Sequence, residues 1–175
     1  MTITMRKRPE PSEYAPSYGT YINRVPEGDI CQILESQLAR TLAFLTKIGE
    51  QCAGYRYAPG KWTIREVVGH VIDTERIFAY RALCFARSER NPLPGFDQDD
   101  YVQAAAFETR TLKDLSIEFE LVRKSNVILF QGFTEEVWER RGVANNAELT
   151  VRSIPYMIAG HELHHLGVLK ERYLG

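Results

Sequence analysis

Apolar residues return at three- and four-residue steps through four long stretches of the chain, the rhythm of helices that each bury one face. In the first stretch Ile30, Ile33, Leu34, Leu38, Leu42, Leu45 and Ile48 keep this period, and Asp29 stands before them as an N-cap with Gln32 three residues on. Gly54, Pro59 and Gly60 then break the pattern. Thr63 and Glu66 have the spacing of a capping box and open a second helix, predicted to run to about Ser88, on which Val67, His70, Val71, Thr74, Ile77, Phe78 and Arg81 share one side. Two prolines and a glycine between Asn91 and Asp100 predict a loop of roughly a dozen residues, a length that is often functional in compact domains. Thr111 and Asp114 open a third helix, followed by Leu112, Leu115, Phe119, Val122, Asn126 and Leu129 at helical spacing. A short extra helix is expected after Thr134 and is stopped by Gly142, with a loop over 143–149. The last helix starts between Thr150 and Ser153; Pro155 favours the later start, since proline fits a first turn and not a helix interior.

No stretch shows the alternation of a half-buried strand. The prediction is therefore an all-α fold, a four-helix bundle with one short extra helix before the last long one. Residues 1–28 lack periodicity and are rich in Pro, Tyr and Ser, so they are expected to form an extended arm over the core or a partly ordered tail. The bundle domain then spans 29–175.

Charge narrows the possible partners. Lys and Arg number 22 against 23 Asp and Glu, a net charge of −1, so there is no broad basic field to hold a phosphate backbone. The only basic cluster, Met5 to Arg8, is short, and no nucleic-acid partner is expected. Cys31, Cys52 and Cys84 form no C-x-x-C pair and read as reduced thiols. No apolar segment follows the basic N-terminus, and no apolar run reaches membrane-spanning length. A cytoplasmic protein without a membrane partner is the expectation.

The four histidines change the picture most. On the last helix Ile154, Ile158, His161, His165, Val168 and Arg172 fall on one stripe, and the aliphatic neighbours point that stripe at the core. Two imidazoles among aliphatics need hydrogen-bond partners or a metal, and at i and i+4 they can converge on one ion. His70 adds a third imidazole from the inward face of another helix. His164 points about 100° away from His165. It is assigned to the rim, although i, i+3 spacing would also let it replace His165.

His161, Glu162 and His165 match the H-E-x-x-H pattern of zinc proteases. That metallohydrolase reading is remote. Only ten residues follow His165, none of them histidine, and Gly167 lies two residues after the second histidine where the extended pattern wants three. Glu162 is instead expected to be a surface group or a helper behind the ligands.

The segment from Tyr57 to Phe78, with Gly60, Lys61, Trp62 and Thr63 opening a helix and His70 within it, followed by Gly160 to Tyr173, resembles the DinB/YfiT-like superfamily of metalloenzymes. The resemblance implies an up-down-down-up bundle and a divalent ion, often nickel or zinc, held by three histidines that map onto His70, His161 and His165. It also implies bacillithiol- or mycothiol-type S-transfer among the known activities, and homodimers. The arm and the loop around Phe96 depart from the family pattern.

Three imidazoles leave a coordination position for water or substrate, the layout of a catalytic site. The leading expectation is metal-dependent group transfer or hydrolysis on a small molecule, with S-transfer to or from a low-molecular-weight thiol first. Asp73, one turn after His70, is a candidate helper, with a surface ion pair to Arg76 or Arg81 as the alternative. Arg81 could meet an anionic substrate or lie along a helix end. Trp62 and Tyr80 could line the pocket but are read first as packing residues, and Asn126 first as a buried structural amide, with a polar pocket residue as the alternative. The competing class is a non-catalytic bundle that binds metal or a small ligand.

Overall fold

The computed structural model describes residues 7–175; residues 1–6, including Met5 and Arg6 of the basic cluster and the start of the arm, lie outside the described residues. Among the described residues, seven α-helices and one hairpin follow in chain order: α1 (Gly19–Ile22), α2 (Ile30–Ile48), α3 (Ile64–Ala86), α4 (Gln98–Ala104), α5 (Leu112–Gln131), α6 (Glu135–Glu139), β1 (Arg141–Ala144), β2 (Ala147–Thr150) and α7 (Ser153–Val168), which ends in a π turn over Leu169–Tyr173. The expected caps form. The Asp29 side chain accepts from the backbone of Cys31 and Gln32, Thr63 and Glu66 close a capping box, and Thr111 accepts from Asp114 N.

α2, α3, α5 and α7 form the bundle, with α2 and α3 each packed on α5 and α7. The core is split in two. One apolar cluster holds Ile30, Leu34, Phe78, Phe85, Phe130, Met157 and Ile158; the other holds Leu38, Leu45, Ile64, Val67, Phe119 and Leu169. α2 and α7 run from the first cluster to the second, whereas α3 and α5 run from the second to the first, so the helices go up, down, down and up. Buried polar residues fill the layer between: Gln37 and Thr41 on α2, His70, Thr74 and Glu75 on α3, Arg123 on α5, and His161 and Glu162 on α7.

The first ten residues of α7, Ser153 to Glu162, are all buried, not only the predicted stripe. The arm is the reason. α1 lies against α7, and a Cβ at Gly160 would sit 2.1 Å from Tyr21 O, so glycine permits the backbones to touch. Ile22 and Val25 enter the core. Arg8 donates to Val25 O (2.9 Å) and Ile22 O (2.5 Å), and the buried Glu13 carboxylate takes two bonds from Arg152 (both 3.0 Å) and one from Thr150 Oγ1 (2.8 Å).

Three local expectations need correction. The predicted loop over 143–149 is a β-hairpin whose turn is Asn145-Asn146, both at positive φ (52° and 59°), the conformation that a two-residue type I′ turn requires. Gly142 does not stop a helix; it lies in β1, where a Cβ would meet the Phe85 ring at 2.0 Å. The loop after α3, residues 87–97, ends before Asp100 because Asp97 caps an unexpected helix, α4, through the backbone of Asp99 and Asp100. No helix among the described residues is long and apolar enough to cross a membrane.

Candidate metal centre

The polar layer brings His70, His161 and His165 to one point. His161 Nε2 lies 3.0 Å from His70 Nε2 and 3.1 Å from His165 Nε2. Ligand-capable nitrogens of all three rings fall within 4.8 Å of one another. A ring nitrogen carries either one hydrogen or one lone pair, so only one of the two contacts can be a well-directed hydrogen bond. A shared cation removes the conflict. The two separations also lie between the edges of an octahedron (~2.9 Å) and a tetrahedron (~3.3 Å) with ligands ~2.0–2.1 Å from the ion. The donor set fits a divalent ion.

Burial keeps these imidazoles neutral. Loss of solvent, aided by His164, pulls the His70 pKa down to about 4 and, with His70 as a second influence, that of His165 to about 3; His161 is driven well below its ordinary value by burial and by its histidine neighbours. Neutral rings offer lone pairs at ordinary pH, as ligation needs. Thr74 Oγ1 lies 3.4 Å from His70 Nδ1, within reach to accept its proton and fix the tautomer that leaves Nε2 free. Trp62 packs on the His70 ring at 4.8 Å, and Tyr21 and Phe78 stand edge-on to His161 at 5.4 and 6.3 Å. Trp62 thus packs on a site ring and also lines the neighbouring pocket, the role weighed beside packing.

His164 is outside the trio. It stands edge-on to Tyr21 and faces outward from the His161 stripe. Asp73 does not approach the trio; its carboxyl is half-buried on the side of Arg76, Glu118 and Arg110, where burial pushes its pKa up. Glu162 is neither a surface group nor aimed at the trio. It is 1% exposed, accepts a short bond from Thr41 Oγ1, and its Oε2 lies 2.9 Å from Arg123 Nη2 in an ion pair. Arg123 also grips both oxygens of Glu75 at 2.8 Å, and Asn126 Nδ2 donates to Glu75 at 3.2 Å, so Asn126 is a structural amide. Tyr80 lies exposed on the outer face of α3.

Two cavities open beside the trio. One of about 260 Å³ is lined by His70, His161, Thr74, Phe78 and Arg81; the other, of about 490 Å³, by His164, His165, Trp62, Lys61 and Tyr173. Gln98, at the start of α4, borders both. Tyr21, Gln98 and Phe96 were not singled out as individual site residues by sequence. The available signal was Gly160, a glycine amid apolar helix residues, which marks a close backbone approach.

Residues 33–169 match the sequence profile of the DinB superfamily. A protein of Oceanobacillus iheyensis, provisionally named a metal-dependent hydrolase, is 29% identical over 161 residues, covering 90% of this chain and 82% of its own length. YfiT from Bacillus subtilis, described as a probable metal-dependent hydrolase with an unusual four-helix bundle topology, superposes with a TM-score of 0.72 at 18% identity, over 97% of this chain and 92% of its own. The DinB-like protein YjoA, also from Bacillus subtilis, gives a TM-score of 0.59 at 21% identity, over 83% and 90%. At these identities both structures speak to the fold, and the four-helix topology is shared.

Proposed function

The chain belongs to the DinB superfamily, and from that premise we propose that it is a metal-dependent hydrolase of small molecules, with its ion held by Nε2 of His70, His161 and His165. The observation that carries this reading is the meeting of three imidazole nitrogens at one point beside a cavity, those of His70 and His161 buried and that of His165 partly buried. A divalent ion there supplies a Lewis acid that lowers the pKa of water and polarises a carbonyl or phosphoryl oxygen. The protein's own part is preparation. Burial holds the ligands unprotonated, Thr74 orients the His70 ring, and Trp62, Tyr21 and Phe78 pack against the His70 and His161 rings, giving them an apolar setting that strengthens electrostatic contacts there. Glu162 does not serve as a general base, because Thr41 and Arg123 take up its carboxylate. Nickel and zinc both suit an all-imidazole set.

The test is turnover of a panel of small esters and amides by metal-replete protein, chelated protein and His161→Ala. Chelation and the substitution should each lower turnover at least about 100-fold while the helical circular dichroism persists, since a bundle of this size keeps its core without metal. Turnover that survives in His161→Ala rules the reading out.

A second reading, S-transfer with a low-molecular-weight thiol as cosubstrate, is favoured by the pair of cavities that flank the trio and adjoin at Gln98, room for two reactants. Consumption of a free thiol in step with an electrophilic acceptor, absent in His165→Ala, supports it; hydrolysis at the same rate with and without thiol excludes it.

A further inference from the structure

The cavity of about 260 Å³ that reaches His70 and His161 is also lined by Arg81. Arg81 is 3% exposed, yet no carboxylate among the described residues lies within 4.0 Å of its nitrogens. Its Nη2 donates to Pro94 O at 2.9 Å, and Tyr18 nearby favours the charged form without supplying a counter-charge at neutral pH. The Phe78 and Phe96 rings flank the guanidinium at 5.6 and 6.0 Å. A guanidinium carries five N–H donors in one rigid plane, so donors remain for a ligand. Asp97 borders the same cavity, but its Oδ1 is taken by the backbone of Asp99 and Asp100. A buried cation without a counter-charge is costly, unlike Arg123, which has two carboxylates. The missing partner is therefore sought in the ligand.

We infer that Arg81 binds an anionic group, a carboxylate or a phosphoryl, at the end of the substrate remote from His70 and His161. This specifies the substrate class of the site proposed above and rests on that reading for the reacting end. His70 and Arg81 are eleven residues apart on α3, about 16 Å along the axis, and an arginine side chain reaches back toward the helix N-terminus. The substrate is accordingly an elongated small acid rather than a compact neutral ester.

Isothermal titration with glutarate, and with neutral glutaramide as control, tests the anion site without a known substrate. Wild-type protein should bind glutarate in preference to glutaramide. Arg81→Met should bind glutarate about 10- to 100-fold more weakly with metal content unchanged. Arg81→Lys, which keeps the charge but loses the planar fork, should fall between the two. The wild-type-to-Met difference should persist in a His161→Ala background. Equal binding of glutarate and glutaramide, no glutarate binding by folded wild type, or wild-type affinity in both Arg81 variants overturns the inference. Loss of metal with Arg81-dependent binding intact counts against the metal chemistry alone.

Discussion

Arg123 is the largest fully buried side chain, at 0% exposure, and Glu75 and Glu162, the two acids that face it, are 2% and 1% exposed. Burial opposes its charge, but the two carboxylates outweigh burial and raise its pKa above the ordinary arginine value. Arg123→Met keeps most of the volume and removes the charge. Glu75 then retains only Asn126, and Glu162 only Thr41. Breaking a buried pair in this way costs about 3–5 kcal/mol because a charge is left uncompensated. For a chain of this size that amounts to a Tm lower by about 6–20 °C. Thermal and urea unfolding followed by circular dichroism reads the loss. The combined variant Arg123→Met/Glu75→Gln/Glu162→Gln should recover at least about 2 kcal/mol, since no buried charge remains. A single variant that loses less than about 1 kcal/mol, or a triple variant no more stable than the single, would refute the reasoning.

Gly160→Ala forces the α1 backbone away from α7, because the new Cβ would lie 2.1 Å from Tyr21 O and 2.4 Å from Tyr21 C. The arm should become open to limited proteolysis and stability should fall by about 1–3 kcal/mol, the usual cost of overpacking; protection equal to wild type argues against the close approach. In metal-free protein, stability should fall as pH drops. Unfolded His70 takes a proton near 6.5 and the folded ring only near 4, so its contribution is present above 6.5 and lost toward 4, about 1.4 kcal/mol per pH unit. Unfolding free energies from urea titration at pH 7 and 5 should differ by about 2 kcal/mol from this group alone, with His161 and His165 acting in the same sense; an unchanged free energy contradicts it.

The caps at Asp29, Thr63 and Thr111 and the four helical periods were legible because each rests on local chemistry that tertiary packing does not override. The convergence of His70, His161 and His165 was legible for a different reason: imidazoles on an aliphatic stripe need a partner. The hairpin was hidden because strands of four residues show little alternation, and its one signal was the Asn145-Asn146 pair. α4 was hidden in an acidic stretch whose Asp97 reads as loop until its side chain is seen capping a helix. Glu162 was misplaced because adjacency to His161 on one helix implied an outer face, whereas the arm and α2 leave the first part of α7 with no outer face. Glu75 and Arg123 were not singled out, since sequence does not show that they meet across the bundle.

The central claim is that three imidazoles from two helices share one ion. Metal content with X-ray absorption spectroscopy on purified protein addresses it most directly. One divalent ion per chain with three nitrogen ligands at about 2.0–2.1 Å is expected, and its loss in each of His70→Ala, His161→Ala and His165→Ala. A folded protein that retains no ion after metal reconstitution, or whose ion persists when His161 is replaced, contradicts it.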